Sequence, residues 1–204
     1  MPDFIAAAPV ASPVMATFVV SSLLALFVAP TMIEHGVFRP YWLLPRREWA
    51  TPVTSAFLHA DLAHLFFNGF TFWAFGFSLE RTMGSAQFAA LYAVGLFASA
   101  LGTWVKHHRE PDYRTLGASG AILAVLFASI VYHPSSSIFI LPIPVPIPAP
   151  VFAVGYLVYT WVASRQRGGR INHDAHLSGA IAGIVFVALT DPAAFGRAIH
   201  AVSG

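Results

Sequence analysis

The sequence predicts an all-α, multi-pass membrane protein built from six transmembrane helices, and three observations carry that prediction. Hydrophobic residues make up 57% of the 204-residue chain and charged residues 10%, against about 25% charged in ordinary soluble domains. Mean hydropathy is +0.68. The apolar residues gather into six runs that approach the roughly 20 residues needed to cross a bilayer core. The basic residues fall between those runs, as loop anchors at a membrane surface do.

Taken in chain order, the first span is expected over Met15–Ile33. The stretch before it, MPDFIAAAPVASPVMATFVV, has an acidic residue and no Lys or Arg. It therefore lacks the positive n-region of a signal peptide, and the span is read as retained. A long loop, 34–56, contains RPYWLLPRREWATP; two aromatic–apolar patches between arginines and prolines are too apolar for a solvated linker, so it is expected to lie in the membrane interface. The second span is expected over Phe57–Leu79, the third over Gln87–Val105 and a short fourth over Ser119–Tyr132. LPIPVPIPAP follows, with proline at every second position from Pro142 to Pro150. Those prolines lack backbone donors and forbid a continuous helix, so an extended hairpin or polyproline turn is expected. A short fifth span, Val151–Ala163, and a sixth, Ala175–Thr190, complete one membrane domain over residues 1–204, with no repeat and no soluble domain.

Composition also excludes chemistry. There are no cysteines, so disulfides, thiolate metal sites and cysteine nucleophiles are absent. A net charge of +2 and a pI near 9.2 are too mild to indicate a nucleic-acid partner. No cofactor is implied.

The fourth span carries the most information. From Ser119 to His133 a helix would be about 22 Å long at 1.5 Å per residue, shorter than the hydrocarbon core of about 30 Å. Upstream lies the polar stretch HHREPDYRTLG. Non-helical backbone at membrane depth is tolerated only inside protein or beside a water-filled cavity. Ser119 is therefore expected at a helix N-terminus within the membrane, facing such a cavity.

The other spans place polar groups within reach of it. His64 and Asn68 in FLHADLAHLFFNGF lie four positions apart and share one helix face. Ionisable groups within spans usually face the bundle interior and serve function. In NHDAHLSGAIAGIVF, His176 is followed by Gly179 and Gly183, a spacing that admits close helix approach. Gly117, Ala118, Gly120 and Ala121 surround Ser119, so the two helices could bring His176 within hydrogen-bond reach of it. An imidazole so placed can take the serine proton. Asp174 is two positions from His176 and points elsewhere on a helix, which favours a Ser–His dyad over a triad. The Ser119 amide is unpaired at a helix start, and His64 and Asn68 could add donors for a developing oxyanion.

Plainer readings stand beside these. A serine at a helix N-terminus is most often an N-cap. His64 and Asn68 could serve interhelical hydrogen bonding, worth about 0.6 kcal/mol on average. His173 with His176, or His107 with His108, could bind metal, but no Cys or acidic cluster completes such a site.

With these residues collected, the chain resembles the rhomboid family of intramembrane serine proteases. The resemblance spans roughly residues 48–190 and rests on TSAFLHADLAHLFFN, LERTMGS, GASGAI and AHLSGAIAG, in that order. It implies a rhomboid-like six-helix bundle with a water-accessible cavity, Ser119 as nucleophile and His176 as general base, then acid. It also implies an oxyanion hole formed by His64, Asn68 and the Ser119 amide. Substrates would be transmembrane segments of other proteins, cut near the membrane surface, and the partners are those proteins and the lipid bilayer. A bacterial inner (plasma) membrane is the expected location. Trp49 is not followed by the Arg that family members often carry in the first loop. Some members place Tyr or Phe four residues after the serine, against the catalytic histidine; here that residue is Leu123, so a less firmly held imidazole is expected. Glu80 and Arg81 match a family motif and are taken as structural loop anchors.

Charge and resemblance disagree on orientation. With spans alternating in direction, the Ser119 side holds Arg39, Arg46, Arg47, Lys106, Arg109, Arg114, Arg165, Arg167 and Arg170, and the opposite side only Arg81 and Arg197. The positive-inside rule would put the first set in the cytoplasm. The resemblance implies the active-site side outward with the N-terminus cytoplasmic, and that orientation is adopted. Two other functions compete with a protease: a non-catalytic rhomboid-like protein that binds membrane clients, and a metal or proton transporter using the histidines. The first would be marked by loss of Ser119 or His176, and neither is lost. The second explains GASGAI poorly. Substrate and oligomeric state are not legible, and the proline-led fifth span is a candidate mobile element.

Overall fold

The computed structural model of the chain describes residues 8–140, 143–166, 169 and 171–203. Pro142, Arg167, Arg170 and the first seven residues lie outside that set. The described chain is mostly helical: α1 (Ala11–Phe27), α2 (Thr31–Gly36), α3 (Thr51–Thr54), α4 (Leu62–Met83), α5 (Ser85–His107), α6 (Ser119–Tyr132), α7 (Ala149–Ala163), α8 (His173–Thr190) and α9 (Pro192–Ser203). An antiparallel hairpin, β1 (Ser137–Ile140) with β2 (Ile143–Pro148), joins α6 to α7. Among the described residues, α4, α5 and α8 are long and apolar enough to cross a membrane, while α1, α6 and α7 are shorter apolar helices.

Helix α6 is the centre of the bundle. Twelve of its fourteen residues are buried, because α4, α5 and α8 all pack on it. Small residues permit this. A side chain at Gly179 would run into the carbonyl of Gly120, and one at Gly183 into the carbonyl of Ala124. On the far side, Gly95 of α5 faces Ala121 and Ala124. In lipid, helices gain little from hydrophobic association and rely on such close packing. The outer surface is apolar instead, with Phe66, Trp73, Phe97, Leu101, Val154 and Leu189 all exposed, as a lipid-facing belt requires.

Several boundaries differ from the sequence expectation for identifiable reasons. The expected first span, Met15–Ile33, is two helices. α1 ends at Phe27, where the N–H groups of Val28 and Ala29 both donate to Leu24 O, and Pro30, which has no N–H to continue the ladder, leads into α2. The second helix starts at Leu62 rather than Phe57 because Asp61 caps it, its Oδ1 accepting from the His64 N–H at 2.8 Å. That helix continues to Met83, so Glu80 is no loop anchor. It is 1% exposed, and its carboxylate accepts from the N–H groups of Val10 (3.0 Å) and Ala11 (2.7 Å), filling the unpaired donors at the start of α1.

The loop 34–56, expected to lie in the membrane interface, is built of short helical turns. Val37 and Phe38 are buried, Phe38 forms an isolated bridge with Thr115, and Trp42 Nε1 donates to Pro111 O at 3.1 Å. The Arg46 guanidinium lies 3.6 Å over the Trp42 ring, and Arg39 makes a two-pronged pair with Glu48. The proline-rich segment forms the extended hairpin, pairing Ser137 with Pro148 and Ile138 with Ile147. In a two-stranded ribbon every strand is an edge, where proline is tolerated.

Candidate active site

The loop before α6 brings the serine to its place. Thr115 N–H donates to Phe38 O and Gly117 N–H to Ser55 O, at 3.0 and 2.9 Å. Gly117 has φ +127°, a conformation open to glycine at little cost. A side chain there would also strike the His64 imidazole, so the loop passes directly against that ring. Ser119 is the first residue of α6, and Ala118, not Ser119, is the N-cap. The serine hydroxyl is therefore not consumed in capping.

Its partner comes from α8. His176 Nε2 lies 2.8 Å from Ser119 Oγ. The start of α8 is set by Asn172, whose Oδ1 accepts from Ala175 N–H at 3.0 Å. The same side chain's Nδ2 donates to Thr103 Oγ1 of α5 (2.9 Å) and Thr115 Oγ1 of the serine loop (3.2 Å). One amide thus ties α5, the loop and α8 together one turn from His176.

Asp174 points away from His176, as its spacing implies. Its carboxylate pairs with His107 Nε2 at 3.1 Å and with Lys106 Nζ at 3.6 Å. His107 also meets Glu110 at 2.9 Å and stacks on Tyr113 with ring centroids 3.6 Å apart. Burial, with Asp174 and Glu110 nearby, pushes the Tyr113 phenol up from its ordinary value. Nδ1 of His176 faces Tyr156 of α7, whose hydroxyl lies 3.1 Å from it.

His64 and Asn68 share the cavity with the serine and histidine. Asn68 is 7% exposed, and one of its amide hydrogens is donated to His64 O at 2.9 Å. His59, earlier in the same segment, packs edge-on against His64 with ring centroids 4.9 Å apart; it is fully buried, its Nδ1 2.8 Å from Ser22 Oγ of α1. The cavity holds about 510 Å³, room for a few residues of extended chain. Among the described residues no group of three or more His, Cys, Asp or Glu is placed to hold a metal ion.

The structure thus brings Ser119, His176, His64 and Asn68 to one cavity. Two residues that sequence reading missed also stand there. Tyr156 had a faint signal, a polar tip within an otherwise apolar span. Asn172 had the signal of a helix-capping residue just before the sixth span.

Comparison with known proteins points the same way. The family model for the rhomboid domain matches residues 46–192. The rhomboid protease GluP of Bacillus subtilis is 32% identical over 98 residues, 48% of this chain and 18% of its own. The presenilin-associated rhomboid-like protein A, mitochondrial, of Danio rerio is 33% identical over 137 residues, 66% of this chain and 36% of its own. Rhomboid protein 1, mitochondrial, of Saccharomyces cerevisiae is 28% identical over 158 residues, 73% of this chain and 45% of its own. The matched region is less than half of each relative's length.

Proposed function

The chain belongs to the rhomboid family, and from that premise we propose that it is an intramembrane serine endopeptidase that cuts transmembrane segments of other proteins through Ser119 and His176. The observation that carries the proposal is the 2.8 Å contact between Ser119 Oγ and His176 Nε2, made inside a cavity large enough for a peptide segment. The three shorter apolar helices are read as spans too, giving six. On that reading α6, with 14 residues, is about 21 Å long at 1.5 Å per residue, and Ser119 lies below the membrane surface. We assign the chain to a bacterial plasma membrane.

The chemistry follows from the geometry. Ser119 Oγ attacks the scissile carbonyl carbon as its proton passes to His176 Nε2. The carbonyl electron pair moves onto oxygen, and the resulting oxyanion is received by the Ser119 N–H, the other Asn68 amide hydrogen and His64. Losing one such donor typically costs about 2.7–4 kcal/mol of transition-state stabilisation. His176 then gives its proton to the departing amine, leaving an acyl-serine. Water enters through the cavity and attacks the acyl carbon as the same imidazole takes its proton; the acyl–Oγ bond then breaks, the acid leaves and His176 returns the proton to Ser119 Oγ. Proton transfer by a positioned group contributes about 10²–10⁴-fold.

Activity-based labelling tests the reading. A fluorophosphonate probe should label the purified wild-type protein and leave Ser119→Ala and His176→Ala unlabelled, with all three equally folded. Equal labelling of Ser119→Ala would exclude this nucleophile. An unlabelled wild-type protein that binds membrane clients, with binding unchanged in Ser119→Ala, would favour a non-catalytic binder.

A further inference from the structure

We propose that Tyr156 is the positioning residue for His176: its phenol oxygen accepts the Nδ1–H of the imidazole and so leaves Nε2 bare for the Ser119 proton. The inference rests on the protease reading for its purpose, but its geometry stands alone.

A neutral imidazole carries one N–H, and the two nitrogens are not equivalent. His176 has Ser119 Oγ at Nε2, 2.8 Å away, and Tyr156 Oη at Nδ1, 3.1 Å away. If the proton sits on Nε2, that nitrogen donates to the serine and cannot take its proton. If it sits on Nδ1, Tyr156 accepts it and Nε2 is a base. A phenol can donate to a bare Nδ1 or accept from Nδ1–H; a Ser119 hydroxyl that gives its proton at Nε2 selects the second, since the hydrogen bond made by one ring nitrogen decides which of the two is protonated. The nearby carboxylate that might have served, Asp174, is occupied by His107 and Lys106.

Tyr156 is seated for the task. Its ring stacks on Phe152 at 5.5 Å and packs against Phe127 at 5.8 Å, and Phe127 is itself buried in α6. One turn along α7, Tyr159 meets His173 edge-on at 5.4 Å. Two tyrosines three positions apart on α7 therefore face two histidines three positions apart on α8. Tyr156 also lines both the cavity around Ser119 and a separate apolar cleft of about 610 Å³ between α4, α7 and the hairpin.

The test uses the full chain in detergent, comparing wild type with Tyr156→Phe, which keeps the ring and loses the oxygen. Nitrogen-15 NMR of histidine-labelled protein, with His176 assigned by His176→Ala, should show the Nδ1–H tautomer in wild type. In Tyr156→Phe that preference should be lost. With the fluorophosphonate probe, the limiting labelling rate should fall about 10- to 100-fold, by analogy with the loss of the outer hydrogen-bond partner of a metal-bound imidazole. The half-saturating probe concentration should change far less than the limiting rate, since the variant keeps the ring that lines the cavity and removes only the oxygen. An Nε2–H tautomer in wild type, or a Tyr156→Phe protein labelled at the wild-type limiting rate, would overturn the assignment. Wild-type protein that takes no label would sink the protease reading instead, and the tautomer measurement would still decide the role of Tyr156.

Discussion

Helices α6 and α7 are neighbours of similar length that are held in opposite ways. All but two residues of α6 are buried, whereas α7 buries only Ala149 and Thr160. The difference lies in what each presents. α6 meets α8 backbone to backbone through Gly120, Gly179 and Gly183, while α7 leans on the bundle through the rings of Phe152, Tyr156 and Tyr159. Rings can slide and re-seat, but backbones in contact cannot. Ser119 and His176 sit on the closely packed pair, and Tyr156, the proposed positioning group, sits on the sparsely buried helix. The proposed chemistry, in which a misplacement of about 1 Å can cost about 10²-fold, is thus built on the backbone-packed helices.

Substitutions at this contrast should rank accordingly. The largest effect is expected at Gly179→Val, which drives a branched side chain into the Gly120 carbonyl. Overpacking of this kind costs about 1–3 kcal/mol and sometimes more. Thermal unfolding in detergent should show a loss at the upper end, and fluorophosphonate labelling should vanish as α8 carries His176 away from Ser119. Labelling at the wild-type rate would mean that the two helices can part without cost.

Asn172→Ala should come next. It removes the cap of α8 and two side-chain hydrogen bonds, together about 1–3 kcal/mol. Labelling should slow while the melting temperature falls modestly; a drop in melting temperature with no change in labelling would confine Asn172 to stability.

The smallest effect is expected at Gly155→Ala on α7. Nothing lies within 4 Å of the position a side chain would take there, and alanine favours helix by up to about 1 kcal/mol over glycine. The variant should be as stable as wild type or slightly more so. A clear destabilisation would show that α7 is packed more tightly than its contacts indicate.

The positions of these helices were legible in the sequence because apolar run length reports directly on membrane crossing. The start of α6 at Ser119 could be read from the change between HHREPDYRTLG and the apolar run after it. What escaped was set by distant backbone. Glu80 looks like a loop residue beside Arg81, yet its partners are two N–H groups 70 and 69 positions away, and an N–H leaves no mark in a sequence. The break at Pro30 is marked by the proline itself, whose missing N–H outweighs the continuity of the apolar run around it. Leu123 offers the imidazole no ring, and the side chain that reaches its Nδ1 comes from α7 instead, as Tyr156. A search near the serine could not find it, because 37 positions separate Tyr156 from Ser119.

The contact between Gly179 and Gly120 has a consequence for the medium in which the protein works. The hydrogen that stands where Gly179 would carry a side chain points at the Gly120 carbonyl oxygen. Polarised Cα–H groups in that position make weak hydrogen bonds of about 0.5–1 kcal/mol each. Such bonds owe nothing to the expulsion of water, so transfer from lipid to detergent should not weaken them. The spacing between serine and histidine is thereby insulated from the fluid that surrounds it.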